Sequence, residues 1–224
     1  MGNSQLIDLT RPIYHGMFVW YKTPLVDIKV LKRHEETGRE DGVSFQANLV
    51  LMSDHTGTHL DSTLHFDPNG HGVDEVPLDL LYGPAVVLDF SYKEACSSIS
   101  KEELESALKE AKIAPENLKV VLFRTGANEE FGSEAYLNHY LEIRKEAAEW
   151  LIDQGIKVLG VDACTIDHDR DRATHMLARK KPFYHIENLT NLDRVPEKRI
   201  FTFVGLPLPL VGATASPIRA VAII

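Results

Sequence analysis

The chain has 224 residues, of which 44% are apolar and 25% charged, the balance of a folded globular protein rather than a disordered or fibrous one. Lys plus Arg number 24 against 33 Asp plus Glu, a formal charge of −9 that argues against gripping a nucleic-acid backbone, which needs a basic face. Two widely separated cysteines, Cys96 and Cys164, and the lack of a basic-then-apolar leader or a run of about 18 apolar residues are the expectation for a cytoplasmic protein that does not enter the membrane. Ten histidines are the least ordinary feature of this composition.

In chain order, the N-terminal third reads as strand-rich, and residues 32–41 form a short polar surface loop. Apolar runs rich in β-branched residues predict strands within residues 43–52, 84–90, 119–123, 157–161, 199–204 and 218–224. Ser100 followed by Glu103 is a capping-box pattern, and Leu104, Leu108 and Ala111 then share one helical face. A second helix is predicted over residues 134–154, with Ile143, Ala147, Trp150 and Leu151 at helical spacing and Gly155 to end it. Trp150 is therefore read as a core residue. Residues 158–161 are apolar on both faces, so the strand they form belongs in a sheet covered on both sides. With no linker, repeat or composition shift, residues 1–224 read as one α/β domain around a mixed central sheet.

The functional signal begins at Asp54-His55-Thr-Gly57-Thr-His59-Leu-Asp61-Ser62-Thr63-Leu-His65. Neutral imidazoles bind ions such as Zn²⁺ and Mn²⁺, and carboxylates can bridge two of them, so the cluster suits a mono- or dinuclear metal site. In an extended segment His55, His59, Asp61 and His65 share parity and hence one face, and Gly57 permits a tight backbone path. The apolar run at residues 48–52 is expected to seat this cluster on a sheet. Asp54, Asp67 and His71 read as supporting or solvent groups, and residues 167–172 as a solvated mixed-charge loop.

These residues resemble the His-x-Gly-Thr-His-x-Asp-x-x-x-His signature of the metal-dependent cyclase family, which includes bacterial kynurenine formamidases and isatin hydrolases. The resemblance extends to Leu6-Ile-Asp-Leu-Thr-Arg-Pro-Ile, to Phe18-Val-Trp20 and to Gly212-Ala-Thr-Ala-Ser-Pro-Ile-Arg219-Ala, so it covers nearly the whole chain. It implies a swivelling β/β/α fold, a homo-oligomer (dimer or tetramer), and two zinc or manganese ions per chain. One ion would take His55 and His59, with Asp61 bridging. The other would take His175 and Glu187, which stand in Thr174-His-Met-Leu-Ala and His185-Ile-Glu-Asn-Leu; His168 and His185 are competing ligands in the same stretch. The implied chemistry is hydrolysis of a small amide, formamide or lactam by a metal-activated hydroxide, with His65 as general acid/base and Trp20 stacking on an aromatic substrate. A metal-dependent cyclase or lactone-processing enzyme, or a noncatalytic metal-binding module, would share these ligands. Kynurenine formamidases carry a proline-containing pair where this chain has Ser62-Thr63, a change in the loop before His65 that keeps the ligand spacing. Ser216 and Arg219 are expected to play supporting roles.

Overall fold

The computed structural model describes residues 4–21, 23–168 and 172–224. The chain enters through β1 (Leu6–Asp8), then makes a two-stranded ribbon of β2 (Asp27–Lys32) and β3 (Ala47–Leu51), with a one-turn helix α1 (His34–Thr37) in the exposed loop between them. After β4 (His59–Asp61) come β5 (Tyr82–Asp89), β6 (Ser98–Ile99), α2 (Lys101–Ala111), β7 (Val120–Arg124), α3 (Glu134–Asn138), β8 (Glu142–Ile143), α4 (Lys145–Asp153) and β9 (Val158–Val161). The last part holds α5 (Ala173–Met176), β10 (Tyr184–Glu187), β11 (Phe201–Val204), β12 (Ala215–Pro217) and β13 (Val221–Ile223).

Nine strands form one mixed sheet in the order β1-β13-β11-β5-β7-β9-β10-β4-β12. β5, β7, β9 and β10 run parallel, and the remaining pairs are antiparallel. Strand alternation divides the core between the two faces: Val86, Val121 and Leu159 join Leu104, Leu108, Ala147 and Leu151 of the helices, whereas Val87, Leu122 and Val158 join Leu60 and Ile186. α2 starts as the capping box requires, Ser100 Oγ accepting from Glu103 N while the Glu103 carboxylate accepts from Ser100 N. Gly155, at φ 100°, follows the end of α4. Trp150 is partly buried against the helical side of the core, as read. Among the described residues no helix is long and apolar enough to cross a membrane.

Two sequence expectations need correction. The helix predicted over residues 134–154 is broken into α3 and α4, because Ile143 is drawn into β8, which pairs with β6 and donates from Ile143 N to Ile166 O. Burial of Ile143 therefore reflects strand pairing, not a helical face. The run at residues 48–52 does not carry the histidine cluster on the large sheet: β3 pairs with β2, and Leu49, Val50 and Leu51 are about half exposed. The support comes from β4, between β10 and β12.

Candidate metal centre

β4 and β10 are antiparallel, with Glu187 opposite His59 and His185 opposite Asp61. Alternation sends Leu60 and Ile186 into one face of the core, so the four polar side chains project together from the other. All four are buried. Parity thus explains His59 and Asp61, but not their two neighbours. His55 sits in a turn ahead of β4, which continues through Gly57 at φ 63°, and His65 ends a 3₁₀ turn over Thr63–His65. These turns, rather than an extended segment, bring His55 and His65 back to Asp61.

Three of the imidazoles, those of His59, His175 and His55, are aimed by a second contact. His59 Nδ1 donates to Gly57 O at 2.8 Å, leaving Nε2 at 3.3 Å from Asp61 Oδ1 and 3.5 Å from Glu187 Oε2. His175, on α5, sets Nδ1 at 2.9 Å from Asp167 Oδ1 and Nε2 at 3.5 Å from Glu187 Oε1. Asp167 Oδ2 accepts from Thr174 N and His175 N, both at 3.0 Å. His55 lies between Asp61 Oδ1, 2.9 Å from Nδ1, and Thr214 Oγ1, 2.9 Å from Nε2. Thr214 donates its own hydroxyl proton to Asp54 Oδ2, so it accepts from His55 Nε2 and His55 Nδ1 is left turned to the Asp61 carboxylate. His65 Nε2 is 3.9 Å from Asp61 Oδ2, on a side chain that is one-third exposed.

The structure thus brings together His55, His59, Asp61, His65, His175 and Glu187, and adds two residues that the sequence reading did not assign. His185, left there as a competing ligand, has its ring 4.6 Å from that of His175, whereas His168 is stacked on Tyr140 and hydrogen-bonded to Tyr140 O. Asp167, read as part of a solvated loop, is buried and orients His175; residues 169–171 of that loop lie outside the described residues. The signal for Asp167 would have been an acid close in sequence to a candidate ligand histidine, the usual partner of a ligating imidazole. Asp54 supports His55 through Thr214, while His71 is exposed beside Glu75. Ser216 is buried and accepts from Leu208 N, and Arg219 pairs with Asp8. Cys96 and Cys164 are both free.

The donor set fits divalent ions. His59 Nε2, Asp61 Oδ2, Glu187 Oε1 and both nitrogens of His185 are buried without a hydrogen-bond partner, a cost that a coordinated cation removes. Three groups place their ligand atoms within 4.8 Å of one another: His55, Asp61 and His65; His59, Asp61 and Glu187; and Asp61, His175 and His185. Asp61 is common to all three, which is what a bridging carboxylate requires.

Charge is concentrated here. Burial pushes the Asp61 carboxyl up, but His55 and His59 outweigh it and hold the group well below the usual carboxylate range. Burial pulls the His59 and His175 imidazoles down, yet Asp61 and Glu187 raise the first to about 9, and Asp167 and Glu187 raise the second to about 9. Burial, reinforced by the charge on His175, takes His185 down to about 3, and burial also lowers His65. Without ions, His59 and His175 therefore carry protons at neutral pH.

Above the cluster opens a cavity of about 290 Å³ with walls that include Phe18, Trp20, Phe66, Phe131 and Tyr136. Trp20 stands at this wall, 37% exposed, where an aromatic guest would meet it.

A buried His and carboxylate cage beneath an aromatic cavity is the site of a metal-dependent hydrolase. The chain belongs to the cyclase family, whose model, described as "Putative cyclase", matches residues 7–168. It is 31% identical to the kynurenine formamidase of Bacillus cereus over 223 residues, 99% of this chain and 98% of that protein. Its fold matches isatin hydrolase A from Labrenzia aggregata with a TM-score of 0.85 and 25% identity, covering 100% of this chain and 94% of that one. A metal-dependent hydrolase from Bacillus stearothermophilus, so titled by prediction, matches with a TM-score of 0.77 and 26% identity over 99% of both chains. The cyclase-like α/β fold expected from the sequence is the one observed.

Two outcomes are expected. Replacing Asp167 by Asn removes the charge that orients His175 and should weaken metal affinity by about 10- to 100-fold, measured by competition with a chelator; unchanged affinity would deny it that role. In chelator-treated protein, the two histidines raised to about 9 stabilise the fold fully below their ordinary value of 6.5, and that contribution is lost as pH climbs through 9. The melting temperature should fall across that window, and a flat or rising midpoint would contradict the assignment.

Proposed function

We propose that this chain hydrolyses a small aryl amide, a formamide or a lactam, as one domain spanning residues 1–224 and working in the cytoplasm. The reading is carried by the unpartnered ligand atoms at the base of an aromatic cavity. Zinc is the expected metal, at two ions per chain, with manganese suited to the same donors. His55, His59 and Asp61 would hold one ion, and Asp61, His175 and Glu187 the other. A bound divalent ion supplies Lewis acidity, which can bring the pKa of a water from about 15.7 to about 7 and polarise a carbonyl.

The chain's own side chains do the rest. His65 faces the cavity at the edge of the cluster, and because burial lowers its pKa it is neutral at pH 7, with Nε2 free to take a proton. It then returns that proton to the leaving nitrogen, so that the amine departs uncharged. Trp20 offers a face to the substrate ring, a contact worth roughly 0.5–1.5 kcal/mol beyond buried area. Phe18, Phe66 and Phe131 keep bulk water from the reacting bond. The substrate class follows the likeness to kynurenine formamidases and isatin hydrolases.

A homo-oligomer, dimer or tetramer, is part of the same reading. Val30, Leu31, Leu49, Val50 and Leu51 of the β2/β3 ribbon are each more than 40% exposed, and an isolated two-stranded ribbon is barely stable in water. Sedimentation of the purified protein should give an oligomer, and a monomer at micromolar concentration would refute it.

The central test is a panel of N-formylkynurenine, isatin and simple lactones or esters with the metal-loaded protein. Turnover of an amide or lactam is expected, with about two ions per chain by elemental analysis; no turnover of any of them would overturn the proposal. His65→Ala should keep its metal while kcat falls by about 10²- to 10⁴-fold. Loss of the metal in that variant would make His65 a ligand instead.

A further inference from the structure

Arg172 is the only lysine or arginine among the described residues lining the cavity. It lies just before α5, with a left-handed backbone at φ 49°, a strained conformation for a side chain of its size that persists only where the surroundings enforce it. Nη1 donates to Thr165 Oγ1 at 3.1 Å and to Asp167 O at 3.2 Å, which pins the side chain to the cavity wall.

Its charge is not spent there. Nη1 also meets Asp167 Oδ1 at 3.4 Å, the longest contact that carboxylate makes. The same oxygen is 2.9 Å from His175 Nδ1, and the other oxygen accepts two backbone N–H groups. Among the described residues, the side-chain hydrogen bonds of Arg172 all leave from Nη1, so Nε and Nη2 remain as donors on a side chain that is one-third exposed. The guanidinium carbon stands 5.7 Å from the centre of the Trp20 ring, so the cation and the indole border the same part of the cavity.

We propose that Arg172 is a specificity-determining residue that selects aryl amides bearing a carboxylate, holding it with the Nε and Nη2 edge of its guanidinium while Trp20 lies against the ring. This rests on the aryl-amide reading above. A planar fork matches a carboxylate in two parallel hydrogen bonds, and a lysine at the same place supplies charge without that geometry. A cavity of about 290 Å³ has room for one substituted ring.

The test compares wild type, Arg172→Met and Arg172→Lys, each assayed for metal content, on formanilide and its 2-, 3- and 4-carboxylated derivatives. Wild type should favour at least one carboxylated isomer by about tenfold or more in kcat/KM, chiefly through KM. In Arg172→Met the ratio of that isomer to formanilide should collapse toward one, and Arg172→Lys should restore part of it. Equal loss on charged and neutral substrates, or no preference in wild type, overturns the proposal and assigns Arg172 a structural role. If none of the four is hydrolysed, calorimetry separates the two readings. Tighter binding of a carboxylated isomer that Arg172→Met abolishes keeps the Arg172 assignment and rejects the aryl-amide reaction, whereas binding without charge preference rejects the Arg172 assignment.

Discussion

The register between β4 and β10 governs the site. Glu187 opposite His59 and His185 opposite Asp61 make a rectangle of four ionisable groups on one face of the sheet, with Leu60 and Ile186 on the other. A slip of one residue in either strand would send half of the rectangle into the apolar core and bring out Leu60 or Ile186 in its place. Since a buried charge without a partner costs several kcal/mol, such a slip is strongly disfavoured, and the chemistry of the site reinforces the pairing that builds it.

The same rectangle is costly when no cation is bound. Two carboxylates each lie within 3.5 Å of two imidazole nitrogens, and several of these atoms lack hydrogen bonds. Protons on His59 and His175 offset part of this, which is why both are raised to about 9. A divalent ion must displace those protons, so affinity is set as much by the orienting contacts as by the ligands. Gly57 O, Asp167 and the Thr214–Asp54 pair fix one ring nitrogen of His59, His175 and His55 in turn, and rigid placement leaves little reorganisation to be met on binding.

How much of this the sequence disclosed depended on the range of the interaction. Local signals were reliable: the Ser100/Glu103 cap, the strands at Val158–Val161 and Val120–Arg124, and the His59/Asp61 pair all follow from spacing within a few residues. Readings failed where a distant partner decided the outcome. Ile143 has helical spacing with Ala147, but β6 claims it for a strand. Residues 48–52 are apolar enough for a central strand, yet they pair with β2 alone. Asp167 stands in a charged run that looks solvated until α5 folds over it, and His185 enters the cluster through its register with Asp61, which no local pattern encodes. His55 and His65 were placed on the correct side for the wrong reason, since turns rather than alternation return them to Asp61.

The Ser62-Thr63 pair shows how the loop before His65 keeps its shape without a proline. Ser62 donates to Thr214 O through both its backbone N–H and its hydroxyl, which ties the end of β4 to the segment that supports His55. Thr63 Oγ1 accepts from His71 N, and His71 O accepts from Leu64 N, closing the turn on its far side. Both residues are buried, so these hydroxyls are matched to partners rather than exposed to water. A proline would fix the same turn by restricting φ, but it lacks the hydroxyl and the N–H. The pair therefore substitutes hydrogen bonds for ring stiffness while leaving His65 at the rim of the metal cluster. Its hydroxyls act on the loop that carries His65, and Arg172 stands on the cavity wall, so both lie outside the ion-binding rectangle of β4 and β10.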